Sequence, residues 1–195
     1  MIYIAVGDRV RGLVAVGDQL RPDAAVAIQK LRSMGLEPVI ASGDNERAVA
    51  AVAAKLGISK YFGRVEPEKK AEIVKKLREE GGVLFVGDGV NDAPALATAD
   101  VGIAVSSGTE VAKESGDVVI IRGDLSKVVE FIQLSRRVVS NARFNLLWAF
   151  IYNIILIPIA AGLFYPIHLR PELAGLAMAL SSISVTGNAL RLKRA

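Results

Sequence analysis

The sequence predicts an α/β domain with a helix-covered parallel sheet, followed by an α-helical hairpin that crosses a membrane. Three observations lead there. Short apolar runs alternate with amphipathic stretches as far as about residue 124, the pattern of a parallel sheet with helices on both faces. Two of those runs end in acidic loops, Ser42-Gly43-Asp44 and Gly87-Asp88-Gly89. Finally, Asn145–Tyr165 and Leu173–Leu190 contain no charged residue. A soluble front and an apolar back account for a hydrophobic share of 52%, which is high for a uniformly soluble protein. The expected domains are residues 1–124 and 125–195.

In chain order, Ile2–Val6 and Leu13–Val16 read as short strands separated by a Gly-Asp-Arg turn. Pro22 and Asp23 open a helix reaching about Met34, with Ala25, Ile28 and Leu31 at helical spacing and Gly35 as its stop. A buried strand at Pro38–Ala41 runs into Ser42-Gly43-Asp44, and a helix from about Glu46 to Leu56 ends at Gly57. Tyr61–Gly63 reads as a brief strand. Pro67 starts a helix carrying Ile73, Val74 and Leu77 and closed by Gly81-Gly82. Val83–Val86 leads into Gly87-Asp88-Gly89, and further strands are expected at Val101–Val105 and Val118–Ile121.

From about Leu125 a long helix leads toward the two uncharged stretches, at about 145–165 and 173–190. Each is long enough to span or nearly span a hydrocarbon core of roughly 30 Å. The link Pro166–Glu172 is short, so the two form a hairpin. Arg136, Arg137 and Arg143 precede the hairpin, and Arg191, Lys193 and Arg194 follow it. Such flanks place the soluble domain and both termini on the cytoplasmic side of the cell membrane. Because these clusters carry much of the net charge of +4, that charge does not point to nucleic acid. There is no cysteine, which excludes a disulfide framework and a thiolate metal site. The first ten residues lack a basic region followed by a long apolar core, so no signal peptide is expected.

The chemistry is concentrated in Gly87-Asp88-Gly89-Val90-Asn91-Asp92-Ala93-Pro94-Ala95-Leu96. Asp88 and Asp92, at a strand end and a helix start, can face one hard cation, and one or two carboxylates suffice for magnesium. Gly87 and Gly89 let the backbone approach a phosphate, and Asn91 can orient a water or hold the loop. Read alone, the loop also fits a polar turn with Asp92 capping the next helix. In parallel sheets the site lies outside the carboxyl ends of the strands, where both acidic loops fall.

This ten-residue string resembles the hinge motif of the P-type ATPases, which belong to the haloacid-dehalogenase-like superfamily. Other motifs follow in that family's order. Ser42-Gly43-Asp44 resembles its Thr-Gly-Asp, with the phosphate-binding hydroxyl kept. Pro67-Glu68-Lys69-Lys70 resembles its Pro-x-x-Lys, making Lys70 the phosphate-neutralising lysine. Asp18, with Leu20, Arg21 and Pro22, resembles the segment returning from the nucleotide-binding domain. The implied fold is a Rossmann-like partial phosphorylation domain. The membrane half resembles the last two helices of the copper-exporting branch. Tyr152-Asn153 resembles its tyrosine–asparagine pair, and Met178-Ala179-Leu180-Ser181-Ser182 its methionine–serine motif. Met178 and Ser182 share a helix face, a thioether suits Cu(I), and polar groups at membrane depth suggest function. Without the resemblance, the same residues fit interfacial anchoring and helix packing. Pro158 leaves the carbonyl of Ile154 without its helical donor. His168, in the short link, is read as incidental.

The resemblance implies Mg2+, ATP bound mostly outside this chain, and Cu+ as the transported ion. The implied partners are the membrane, the remainder of a P-type ATPase in cis or in trans, and a copper chaperone. No Asp-Lys-Thr-Gly-Thr, Thr-Gly-Glu, His-Pro or Cys-Pro-Cys occurs in the sequence. The phosphorylated aspartate is therefore missing, and the chain alone is expected to pump nothing. In the family the strand bearing that aspartate lies mid-sheet. Its neighbours here face a gap, to be filled by another polypeptide or closed by the N-terminal strands in an altered arrangement. Two further readings are a truncated relative that regulates a full-length pump, and a membrane-tethered magnesium-dependent phosphatase.

Overall fold

A computed structural model describes residues 2–14, 19–88, 91–106, 116–121, 124–166 and 170–191. Asp18, Gly89, His168, Lys193 and Arg194 lie outside these. The chain divides into two units, Met1–Val129 and Glu130–Ala195.

The first unit opens with a hairpin of β1 (Ile2–Val6) and β2 (Arg9–Val14). The second strand starts earlier than the apolar pattern suggests. Gly7, at φ 59°, allows a tight turn, so that Val6 pairs directly with Arg9. The hairpin is antiparallel, with a bulge between Ile4 and Ala5. It joins neither of the other sheets.

Helix α1 (Ala24–Ser33) follows, then β3 (Val39–Ala41), α2 (Glu46–Leu56) and β4 (Lys60–Phe62). The Asn45 side chain caps α2 by accepting from Ala48 N at 2.9 Å, and Gly57 ends it in the left-handed region at φ 66°. Strands β3 and β4 pair in parallel, Val39 with Lys60 and Ala41 with Phe62. Ile28, Ala53 and Ile58 form the core beside them, joined by Leu31, Ile40 and Leu56.

The next group comprises α3 (Pro67–Glu80), β5 (Leu84–Gly87), α4 (Ala93–Thr98), β6 (Val101–Ser106) and β7 (Val118–Ile121). Strands β5, β6 and β7 form a parallel sheet in that order. Its core centres on Leu96 and Ala104, with Phe85 and Val119 against them. The parallel strands thus form two sheets with two small cores, where the apolar pattern alone suggests one. Among the described residues no strand bridges β3 to β5. The hairpin β1–β2 does not take that place. Of the two outcomes expected for a missing central strand, closure by the N-terminal strands is not the one adopted.

Close approaches tie the second group together. A Cβ on Gly102 would lie 2.6 Å from the Leu96 carbonyl oxygen, so α4 packs on β6 only because residue 102 is glycine. The Asp117 carboxylate accepts from Gly102 N at 2.8 Å. Asp100 accepts from Val83 N at 2.9 Å and pairs with Arg78 at 2.7 Å, and Arg78 also donates to Thr98 O at 2.9 Å. These bonds join the end of α3, the start of β5 and the start of β6.

The second unit contains most of α5 (Leu125–Ala160) and all of α6 (Pro171–Arg191). Both helices are long and apolar enough to cross a membrane. At 1.5 Å per residue α5 is about 54 Å long. Phe144, Trp148 and Tyr152, spaced one turn apart, make an aromatic ladder along it, with centroid separations of 6.0 and 6.2 Å.

Leu96 is 1% exposed. Leu96→Ala should lower stability by about 2–4 kcal/mol, read as a fall in the unfolding midpoint of the detergent-solubilised chain. The hydrogen bond from Val83, followed by Arg78, holds the Asp100 carboxyl below its ordinary value of 3.8. A depressed carboxylate stabilises above that value and loses its contribution as pH falls through the folded-state value. Asp100→Asn should therefore be less stable than the parent at neutral pH, and the difference should shrink as pH falls below 3.8 in paired thermal melts.

Candidate functional site

Both acidic loops sit at carboxyl ends of parallel strands, Ser42-Gly43-Asp44 after β3 and Gly87-Asp88 after β5. The first is a closed turn. Ser42 Oγ donates to Asp44 Oδ2 at 2.8 Å and accepts from Asp44 N at 3.2 Å. Backbone bonds fasten the turn to the loop after β4. Ser42 N donates to Phe62 O at 3.0 Å, Val65 N to Ser42 O at 3.0 Å, and Arg64 N to Asp44 O at 2.7 Å. Arg64 makes its bond with φ at 54°, a region that costs a residue with a Cβ about 1–3 kcal/mol. Gly63 is equally specific, since a Cβ there would lie 2.6 Å from Glu46 Cα.

The same loop delivers the lysine. Pro67 occupies the start of α3, and Lys70 follows in its first turn. Lys69 points outward and pairs with Glu66 at 2.9 Å, and this bond raises the Lys69 pKa. Lys70 turns inward, its Nζ 2.7 Å from Asp92 Oδ1, 22 residues away. Both side chains are mostly buried, at 15% and 11% exposure. Adjacent lysines thus have opposite settings, set by the helical rotation of about 100° per residue.

Asp92 stands at the N-cap position of α4, yet its side chain makes no capping bond. Its Oδ1 is engaged by Lys70, which disfavours the reading of Asp92 as a helix cap. Oδ2 lies over Gly87, where a Cβ would come within 2.5 Å of it. Asp88 N points toward Asp92 Oδ2 at 3.4 Å, and Asn91 N toward Asp88 Oδ1 at 3.4 Å. Asp88 is exposed at the mouth of this group. The hard oxygens here are the carboxylates of Asp88 and Asp92, four residues apart, with Asp92 Oδ1 held by Lys70 and Oδ2 lying against Gly87 and Asp88 N. That set fits Mg2+, which keeps several waters. Among the described residues no group of three or more His, Cys, Asp or Glu is placed to hold a metal.

The membrane candidates divide differently. Tyr152 is half-buried, whereas Asn153, Met178 and Ser182 are exposed, Met178 at 71%. Asn153 Nδ2 donates to Ala149 O at 3.1 Å, and Ser182 Oγ to Met178 O at 3.1 Å, each within its own helix. Half-buried positions on α6 recur at Ala174, Ala177, Ser181, Val185 and Asn188, a stripe that excludes Met178 and Ser182. The Tyr152–Asn153 and Met178–Ser182 pairs are not in contact through those stripes.

Sequence reading passed over Gly63, Gly102, Asp100, Asp117 and three asparagines, Asn141, Asn145 and Asn188. The last three carried a signal, since amides at the ends of uncharged stretches are costly unless bonded.

Residues 2–100 match the haloacid dehalogenase-like hydrolase family. The chain is 52% identical to a probable copper-exporting P-type ATPase of Archaeoglobus fulgidus, over 98% of this chain and 24% of that protein. It is 50% identical to copper-transporting ATPase 2 of Rhizobium meliloti, again over 98% and 24%. It therefore spans about a quarter of the length of these relatives. Among solved structures it is similar to a zinc-transporting PIB-type ATPase in an E2.Pi state. The TM-score is 0.81 at 40% identity, covering 90% of this chain and 28% of that one.

If Lys70 neutralises Asp92, removing it strands a mostly buried carboxylate. Lys70→Ala should destabilise the chain by about 3 kcal/mol, while Lys69→Ala, at an exposed pair, should change little. Parallel denaturant titrations of the two variants check the contrast.

Proposed function

We propose that this chain, which belongs to the haloacid dehalogenase-like hydrolase family, supplies the magnesium and phosphate groups and part of the metal path of an ATP-driven Cu(I) pump. The observation that carries the reading is the Lys70–Asp92 pair at the carboxyl end of a parallel sheet, with Asp88 beside it. Phosphoryl transfer requires little covalent chemistry of the protein beyond the nucleophile; positioning and charge neutralisation do most of the work. Lys70 brings a fixed positive charge to the mouth of the sheet. The Ser42 hydroxyl, whose single proton goes to Asp44 across Gly43 in the closed turn, would turn from that carboxylate to donate to a phosphoryl oxygen. Gly87 and Gly89 allow close backbone approach, and Asn91 holds the loop. Asp88 and Asp92 would hold Mg2+, which supplies charge neutralisation at the phosphoryl oxygens when bound.

The nucleophile must come from a strand carrying an aspartate that these 195 residues do not contain. Strands β3 and β5 each keep a backbone edge that such a strand can pair with, and unpaired edges favour completion. The adenine and ribose of ATP would lie mostly on the same missing part. Relatives include pumps named for copper and for zinc. The proposed path here is Tyr152, Asn153, Met178 and Ser182. Zinc favours imidazole, thiolate and carboxylate. Neither uncharged stretch contains any of these, whereas a thioether suits Cu(I). A copper chaperone is the fitting source of the ion. The basic flanks favour a cell-membrane location with the soluble unit on the cytoplasmic side.

The test is to co-express this chain with a polypeptide bearing the Asp-Lys-Thr-Gly-Thr strand and the remaining helices. The co-purified pair should hydrolyse ATP when Cu(I) is added, with no comparable response to zinc. Asp88→Asn should lower the rate by about 100-fold or more. A pair that associates yet shows no copper-stimulated hydrolysis would overturn the proposal and favour a regulatory role.

A further inference from the structure

We propose that Asn141, Asn145 and Asn188 form a polar clamp that fixes the register of α6 against α5, with Asn188 the positioning residue. Both N–H groups of the Asn188 side chain are used. Its Nδ2 donates to Asn141 Oδ1 at 2.8 Å and to Asn145 Oδ1 at 2.7 Å. In return, Asn141 Nδ2 donates to the Asn188 backbone oxygen at 3.0 Å. That carbonyl lies in the last turn of α6, which ends at Arg191, where backbone oxygens have no partner within the helix. Asn141 therefore caps α6 from the side while Asn188 grips α5. Asn141 and Asn145 are four residues apart and share one helix face.

The rest of the facing surfaces cannot set register in this way. Beyond the clamp, the half-buried stripe of α5 runs through Ala149, Tyr152 and Leu156, and that of α6 through Val185, Ser181 and Ala177. In lipid, small and apolar stripes gain little from one alignment over the next, because the tails are as apolar as the side chains. A slip of one turn, about 5.4 Å, would leave the three carboxamides without their partners beside an apolar span. One buried asparagine fixes register in coiled coils by the same penalty.

The consequence deepens the proposed metal path and rests on that reading for its meaning. Measured from the clamp at 1.5 Å per residue, Tyr152 and Asn153 lie about 10.5 and 12 Å along α5 from Asn145. Ser182 and Met178 lie about 9 and 15 Å along α6 from Asn188. The two pairs thus stand at overlapping depth. A one-turn slip would offset them by more than twice the length of a metal–ligand bond of about 2.3 Å.

The chain has no cysteine, so paired cysteines report register directly. Ala149→Cys with Val185→Cys lies one turn inward from the clamp on each helix. Iodine serves as oxidant, which avoids adding the candidate cargo. In membranes, cross-linking of this pair should fall by about threefold or more when Asn188→Leu is added, and Asn188→Gln should restore part of it. Asn145→Ala, which leaves Asn188 one side-chain acceptor, should give an intermediate yield. An Asn188→Leu yield equal to the parent's overturns the clamp. If Asn188→Leu does not accumulate in membranes, Asn141→Ala and Asn145→Ala decide the matter by the same comparison. The readout needs no bound metal, so failure of the copper reading leaves it intact.

Discussion

A lysine ammonium meets an aspartate carboxylate at 2.7 Å at the mouth of the sheet, and both are largely withdrawn from water. Neither charge is tolerable there without the other, so the pair constrains everything that carries it. Helix α3 must begin where Pro67 places it, with Lys70 facing inward. Strand β5 must end in glycine, because any side chain at residue 87 would strike the carboxylate. Helix α4 must start without using Asp92 as a cap. The Lys70–Asp92 pair at the proposed phosphate site is thus produced by a packing requirement, and Asp88 is displayed at its exposed edge.

The two sheets and two cores follow from the other main constraint, backbone hydrogen bonding. A parallel strand has two edges to satisfy, and among the described residues β3 and β5 each pair with a strand on one edge only. Each sheet instead buries its own small cluster, around Ala53 in one and Leu96 in the other. Contacts between α3 and α4, with the Lys70–Asp92 pair among them, hold the second group together. The chain covers about a quarter of the length of its relatives.

The membrane unit solves a different problem with the same chemistry. In lipid, apolar surface does not hold helices together, so polar bonds and close packing must. Three asparagines at the basic-flanked end supply such bonds. Met178 and Ser182 lie beside the half-buried stripe of α6, about 60° and 100° around the helix from it, where they can meet other helices.

Motif spacing alone was enough for the order of strands and helices, the two acidic loops and the uncharged spans, because local periodicity, glycine stops and Pro67 act over a few residues. The helix stop at Gly57 was legible for the same reason, whereas the cap at Asn45 emerged only from the structure. The early start of β2 was not, since it depends on a tight turn at Gly7 and on cross-strand pairing. Composition could not separate Lys69 from Lys70; only the fold, by burying one beside Asp92 and leaving the other with Glu66, assigned them different settings. Nor could spacing along one helix pair Asn188 with asparagines more than forty residues earlier. Local sequence determined what this chain's elements are and which chemistry they carry. Tertiary structure decided which charges and amides meet, because desolvation acts only on groups that folding brings together.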